Sequence, residues 1–316
     1  MKKATVAICT AGRRHEMLKR CIDSLMKVTI PAGWNIDFLL VMNTECDLTK
    51  TDLLGYTILW QNVHYIHEPR PGLSIARNCA IDYCIAHNRE WLIFIDDDTW
   101  VPDDWLIHFI EMVRRWGAVV LTFNIFQGCI TYLYGDNIPL WIKKKRKVPK
   151  NGSDLRGACT NNVMIHRSIF RKQRFDEAYN YTGGEDTDFF IRALSAGERI
   201  IYCADANIYE EVPKERRTFK AYLWRSYWCS SVNMYSLMRR GGGAAVIKKV
   251  PKIAQRFITG LLLITLSPLC IVCGKNRAFL IAARGIDKLT FVAGSIVGLT
   301  PWRPLPYKFK KDKDAI

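Results

Sequence analysis

The chain has 316 residues, 49% apolar and 24% charged, enough to bury one large core or two small ones, which excludes a disordered or fibrous protein. Its formal charge of +16 is unusual and favours an anionic partner such as lipid headgroups, nucleic acid or phosphorylated substrates. The eleven cysteines do not form a disulfide framework: Cys9, Cys21, Cys84 and Cys203 sit within apolar strand and helix patterns, and Cys270 with Cys273 lacks the second ligand pair of a zinc site.

In chain order, Thr5 to Thr10 reads as a buried strand, followed by a polar break at Ala11-Gly-Arg-Arg-His and a helix with Met17, Leu18, Cys21, Ile22 and Leu25 at helical spacing. Ile36 to Met42 and Val63 to His67 read as further strands, with a helix over Ser74 to Cys84. Trp91 to Ile95 is a continuous apolar strand, and Trp105 to Trp116 another helix. Strand, crossover helix and strand in repetition predict an α/β fold with a mostly parallel central sheet covered by helices on both faces. Ligands of such sheets bind beyond the carboxyl ends of the strands, where the Thr10–Arg14 loop, Asn43 and Asp96–Asp98 fall. Farther on, Val119 to Phe123 and Asn162 to Ile165 read as strands and Asp186 to Ser195 as a helix.

Two acidic motifs stand out. Asp96-Asp97-Asp98 closes the Trp91 strand, where repulsion and desolvation both oppose gathered charge. A divalent cation bound to a phosphate-bearing ligand reverses that penalty, and hard carboxylate oxygens suit Mg2+ or Mn2+. Asp103 and Asp104 read as no more than the cap of the next helix. The second motif, Gly183-Gly184-Glu185-Asp186-Thr187-Asp188, opens a helix. Capping explains part of it, but the paired glycines leave space for a ligand to approach the backbone, which favours a functional Asp186.

Beyond Pro213 aromatics alternate with cations, Arg239-Arg240-Gly241 marks a break, and two apolar stretches follow, Phe257 to Cys273 and Phe279 to Leu299. The positive charge gathers in Lys143–Lys147, from Lys214 to Arg256 and from Lys308 to Lys313. Basic flanks with aromatic interleaving describe helices lying in a membrane interface; a packed helical extension and a re-entrant or spanning hairpin are the alternatives. No export signal is recognisable and the thiols read as free, so the catalytic part is expected to face the cytoplasm.

Taken together, Val6-Ala-Ile-Cys-Thr10, Glu68-Pro-Arg-Pro-Gly-Leu-Ser-Ile-Ala-Arg-Asn78, Phe94-Ile-Asp-Asp-Asp98, Asn161-Asn162, Phe175-Asp-Glu-Ala178, Gly184-Glu-Asp186 and Glu211-Val-Pro-Lys-Glu-Arg216 form an ordered series over roughly residues 4–240. In it the chain resembles the family 2 glycosyltransferases of the GT-A fold, of the bacterial succinoglycan and exopolysaccharide glucosyltransferase type. The resemblance implies a Rossmann-like nucleotide-sugar-binding catalytic domain over 1–212, and the composition beyond it reads as a basic, aromatic, membrane-interacting helical region over 213–316. It implies that Thr10 and Arg13 contact base and ribose, that Asn43 grips the nucleotide, and that Arg77 and Asn78 line the donor pocket. Where the family has Val-Asp-Asn, this chain has Val41-Met42-Asn43, so the first acidic position is lost.

Asp98 and Asp96 would hold Mn2+ or Mg2+, with Asp96 and Asp97 on the cofactor and donor side. Asp186 would be the general base of a single inverting displacement, and Glu185 would shape the acceptor side. Arg70 is a candidate for the diphosphate. The implied partners are a nucleoside-diphosphate sugar (a UDP-sugar), a glycan or polyprenyl-diphosphate-linked acceptor, and an anionic membrane at the cytoplasmic face of the inner membrane, held peripherally or monotopically. No nucleic-acid module is recognisable, so nucleic acid is not expected. Two other readings remain: a sugar-phosphate nucleotidyltransferase, disfavoured by the single glycine of Ala11-Gly-Arg-Arg, and a non-enzymatic binder of anionic surfaces, which leaves the acidic triplet unexplained.

Overall fold

Strand β1 (Lys2–Thr10) is apolar on both of its faces because it runs through the middle of a sheet sandwiched by helices. The computed structural model describes residues 1–45, 63–116, 123–135, 138–141 and 148–308. The basic run Lys143–Lys147, most of the expected Val119–Phe123 strand and the tail beyond Lys308 therefore lie outside the described residues.

After β1 come α1 (His15–Leu25), β2 (Trp34–Asn43), β3 (Val63–Glu68), α2 (Leu73–Ala86), β4 (Trp91–Asp96), β5 (Thr99–Trp100) and α3 (Trp105–Trp116). Then follow β6 (Phe123–Leu133), β7 (Asp154–Leu155), β8 (Asn162–His166), α4 (Arg167–Phe170), α5 (Glu185–Ser195) and β9 (Arg199–Glu211). Eight strands lie in the order β3-β2-β1-β4-β8-β6-β9-β5, with β7 paired to β9 off this path. Alternate side chains of each strand feed opposite cores. Val6, Phe38, Leu40 and Ile93 pack with Leu18 and Cys21 of α1 and Trp105 and Phe109 of α3. Ala7, Leu39, Leu92 and Phe94 pack on the other face with Ala76 and Ala80 of α2 and Phe189 and Phe190 of α5.

The sheet is mixed. Strands β3, β2, β1 and β4 are mutually parallel, but β8 runs antiparallel to both β4 and β6, and β5 and β7 run antiparallel to β9. Beyond β4 antiparallel neighbours interrupt the parallel run, although β6 and β9 are again parallel.

Asn162 holds the irregular part of the sheet together. The parallel β6–β9 ladder shifts register between Gly128 and Cys129. There the fully buried Asn162 carboxamide donates to Cys129 O and Ala206 O, both at 2.8 Å, and accepts from Trp105 Nε1 at 3.1 Å. A Cβ at position 128 would stand 2.2 Å from Asn162 Nδ2 and 2.5 Å from Ala206 O, so only glycine leaves room for this stitch.

The chain forms two compact units, one bounded by Met1–Leu133, Lys147–Glu211 and Tyr307–Ile316, the other by Tyr134–Arg146 and Val212–Pro306. The second unit holds α6 (Phe219–Ile247), α7 (Val250–Leu266), a 3-10 segment Ser267–Cys273 and α8 (Lys275–Val297). The expected break at Arg239–Gly241 is a kink instead, since α6 continues past Gly242 with φ 61° and ψ −164° at that residue. Helices α7 and α8 approach closely where Gly260 faces Gly285: a Cβ on Gly285 would lie 2.8 Å from Gly260 O. Val250–Val272 is long and apolar enough to cross a membrane, and Ile258, Leu262, Leu266, Leu269 and Val272 are exposed along it.

Replacing Asn162 by alanine strands two carbonyls and an indole N–H in the core. We expect a loss of about 2–4 kcal/mol, at 1–3 kcal/mol for each orphaned buried group with partial relief, read as a lowered denaturation midpoint. The exposed Asn151→Ala should change stability by less than about 1 kcal/mol in the same assay.

Candidate active site

The parallel half of the sheet delivers its strand ends to one edge. In register, Cys9 lies beside Asp96, Thr10 beside Met42, and Asn43 beside Glu68. The turn after β4 folds Asp97 and Asp98 back so that both are buried, with Thr10 Oγ1 donating to Asp97 Oδ2 at 2.6 Å. Arg14 neutralises the pair, donating from Nη2 to Asp97 Oδ1 at 2.5 Å and from Nη1 to Asp98 Oδ2. Removal from water pushes the Asp96 carboxyl up to about 7, Asp98 adds to the rise, and Arg77 opposes it. Burial pushes the Cys9 thiol up to about 12, so it is neutral and no nucleophile at physiological pH.

The second acidic group stands at the start of α5. Gly183 and Gly184 have φ of 74° and 88°, the left-handed region, so the chain needs glycine there to enter the helix. Backbone conformation thus accounts for the pair without the ligand approach expected from sequence. Glu185 is buried, and its Oε1 accepts from Arg77 Nη1, while its Oε2 is buried with no hydrogen-bond partner among the described residues. Desolvation raises the Glu185 carboxyl above its ordinary range; Arg77 counteracts this and Asp186 reinforces it. Asp186 is partly exposed, and its Oδ1 accepts from Thr187 N at 2.6 Å.

Arg77 stands between the two acidic groups. Burial alone would lower its pKa, but Glu185, Asp96 and Asp186 outweigh this and hold it above the ordinary arginine value. Its helix is anchored from the loop after α4. Asn180 Oδ1 caps α2 by accepting from Ser74 N at 3.0 Å and Ile75 N at 3.2 Å. Asn78 exchanges two hydrogen bonds of 2.9 Å with the Phe175 backbone.

Several residues singled out from the sequence have protein partners or surroundings of their own. Asn43 donates to Glu68 O and Arg70 O at 3.1 and 2.8 Å and accepts from Gly72 N at 2.8 Å, so its amide builds the turn before α2. The amide of Asn78 is likewise committed to Phe175. Arg13 is exposed, and it is Arg14 that meets the carboxylates. Arg70 pairs in two-point fashion with Glu68, at 2.9 Å each.

Two residues went unnoticed in the sequence. One is Arg14, the second member of an undistinguished Arg-Arg. The other is Tyr307, which follows the whole second unit: its N–H donates to Tyr181 O at 3.2 Å, next to the Gly183–Asp186 turn. Its phenol is pushed up to about 12 by loss of water and by Glu185, with Arg77 opposing and Asp96 and Asp186 adding smaller increments.

Hard carboxylate oxygens at Asp96 and Asp98, with the Asp96 carboxyl pushed up mainly by burial, fit a divalent cation. Among the described residues no three His, Cys, Asp or Glu side chains gather around one point, so the chain would give only part of the shell. Mg2+ and Mn2+ tolerate this because water and substrate phosphates complete it.

Residues 5–174 match the family model described as glycosyl transferase family 2. The chain is 32% identical over 219 residues to the succinoglycan biosynthesis protein ExoM of Rhizobium meliloti (strain 1021), covering 67% of each chain. In fold it is similar to the mannosyltransferase PcManGT from Pyrobaculum calidifontis in complex with GDP-Man and Mn2+, with a TM-score of 0.60, 12% identity, and 94% and 86% of the two chains covered. It is also similar to S. aureus TarS 1-349 in complex with UDP, at a TM-score of 0.51, 14% identity, and 94% and 91% covered. GalNAc-T7 with UDP, GalNAc and Mn2+ gives 0.55 at 16% identity, with 74% and 51% covered. An α/β GT-A sheet ending in two acidic groups, and sequence likeness over two thirds of its length, make this chain a glycosyltransferase that belongs to family 2.

Proposed function

We propose that the chain transfers a sugar from a nucleoside-diphosphate sugar, in particular a UDP-sugar, to a hydroxyl of a glycan or polyprenyl-diphosphate-linked acceptor, inverting the anomeric centre, during assembly of a bacterial surface polysaccharide. The observation that carries this reading is the pairing of two acidic groups across Arg77 at one sheet edge. The relative named for succinoglycan biosynthesis supports the polysaccharide, and the similar folds holding UDP or GDP-Man with Mn2+ support the donor class.

A divalent cation held by Asp98 and Asp96 would act as a Lewis acid, neutralising charge that develops on the departing diphosphate. Arg14, whose guanidinium already lies against Asp97 and Asp98, adds positive charge at the same end of β4 and grips a phosphate oxygen. Thr10 holds Asp97 in place beneath the nucleotide. On the acceptor side, Asp186 Oδ1 is fixed by the Thr187 N–H, which orients Oδ2 to take the proton of the incoming hydroxyl. That hydroxyl attacks opposite the leaving group, so one displacement inverts the centre and no covalent sugar intermediate forms. Asn43 and Asn78 set the loops that line the donor side, and Arg77 keeps the two acidic groups from repelling each other.

The second unit gives the membrane-facing part of the reading. Its exposed apolar run follows Lys248, Lys249, Lys252 and Arg256, a basic flank suited to anionic headgroups. Peripheral or monotopic attachment to the cytoplasmic face would bring the catalytic unit to a lipid-linked acceptor.

A panel of UDP-glucose, UDP-galactose, UDP-GlcNAc, UDP-GalNAc and GDP-mannose should contain one donor whose turnover needs Mn2+ or Mg2+ and vanishes in EDTA. Undiminished turnover in chelator would falsify the metal assignment. Asp186→Asn should cut transfer by about 10²–10⁴-fold while donor binding, followed by calorimetry, is retained; near-normal transfer rules Asp186 out as the base. In flotation with vesicles of phosphatidylglycerol and phosphatidylcholine, the chain should float with the anionic vesicles, and the triple change of Lys248, Lys249 and Lys252 to glutamate should weaken this at low salt. Equal recovery with and without anionic lipid would count against the basic flank.

A further inference from the structure

The asparagines around the sheet edge spend their amides on the protein itself, with one exception. Asn43, Asn78 and Asn180 bind backbone around α2, and Asn162 stitches β6, β9 and α3. Asn161 is partly exposed, its Oδ1 is buried without a hydrogen-bond partner, and its Nδ2 donates to no other described residue. The turn that presents it is nevertheless fixed from both sides: buried Gln127 accepts from Cys159 N at 2.6 Å and donates to Asn162 O at 2.8 Å. An orphaned buried acceptor is costly, and a side chain kept only for the fold has no reason to bear that cost.

We propose that Asn161 is a specificity-determining contact to the transferred sugar, its amide N–H donating to one sugar hydroxyl. Strand β8 runs antiparallel to β4 with Asn162 opposite Ile95, so one step farther along both strands sets Asn161 alongside Asp96. Met164 packs in the α1–α3 core and Asn162 binds Trp105 there, whereas Val163 and Ile165 pack with α2 and α5. The same alternation assigns Asn161 to the α2–α5 side of the sheet, the side of Arg77 and the Glu185–Asp186 turn. In the glycosyl-transfer reading, on which this proposal rests, the sugar lies between the diphosphate at Asp96–Asp98 and the hydroxyl activated at Asp186. Its ring therefore passes the Asn161 amide. The phosphates are matched by cations, Arg14 and the divalent ion, through stronger charge-assisted bonds. An uncharged amide N–H suits the oxygen of a neutral hydroxyl instead. A sugar lacking that hydroxyl, or carrying it in the other configuration, leaves the amide unpaired at both ends and is discriminated against.

The test uses the full chain with the donor that turns over in the panel above. Asn161→Ala should lower kcat/KM for that donor about tenfold without lowering the thermal midpoint, because no protein hydrogen bond is lost. Asn161→Asp, which keeps the shape but replaces the donor by an acceptor, should fall at least as far. Calorimetry separates sugar from nucleotide: the intact donor should bind Asn161→Ala more weakly, while the free nucleoside diphosphate with the same metal ion should bind both proteins equally. Among deoxy analogues of the donor, one should cost the unaltered protein a similar factor and cost Asn161→Ala nothing further. Equal weakening of donor and nucleoside diphosphate, a midpoint depressed as in Asn162→Ala, or kcat/KM within about twofold of the unaltered protein would overturn the contact. If Asp98→Asn and Asp186→Asn abolish transfer while Asn161→Ala does not impair it, only this contact fails; if all three remain active, the transfer site itself has been misassigned.

Discussion

A buried guanidinium between two sets of carboxylates is the interaction on which the catalytic unit turns. Arg77 donates to Glu185 and also lies in the field of Asp96 and Asp186. Without it, the end of β4 and the start of α5 would repel each other in surroundings that screen charge poorly. Removing one partner from a buried pair typically costs about 3–5 kcal/mol, because the other charge is left stranded. Position 77 is held accordingly: Asn180 caps the first turn of α2, and Asn78 ties the helix to Phe175. A large share of the polar chemistry near the site therefore serves to hold one cation where two anionic groups converge.

Mixed strand direction has a function in this arrangement. The parallel strands β3, β2, β1 and β4 put Asn43, Thr10 and Asp96 on a single edge. The antiparallel entry of β8 then lets the following chain double back, so that the loop carrying Phe175, Asn180 and the Gly183–Asp186 turn reaches α2. A wholly parallel sheet would need another crossover helix at this point. Asn162, at the head of β8, joins β6, β9 and α3 where the register slips.

Much of this was legible in the sequence because the signals were local. Apolar runs gave β1, β2 and β4, helical spacing gave α1 and α3, and gathered charge marked both acidic motifs. Asn43 and Asn78 show a part that no motif spells out: the amide of each binds backbone, because buried turns need their N–H and C=O groups paired. Arg14 could not be told from Arg13 by composition, since the choice depends on which side of the β1–α1 turn faces the carboxylates. Strand β9 has a register shift against β6 that no periodic pattern announces. Tyr307 was hidden for a different reason: nothing in a polar, proline-bearing tail says where the chain returns.

That return bears on how the protein is born. Residues 1–211 contain every strand of the sheet and can begin to order while the ribosome is still at work. Tyr307 comes only after the helices of the second unit have been translated, a delay on the order of ten seconds at about 5–20 residues per second. The strand and helix that carry the acidic motifs are therefore made well before the chain returns to bind Tyr181 O through the Tyr307 N–H.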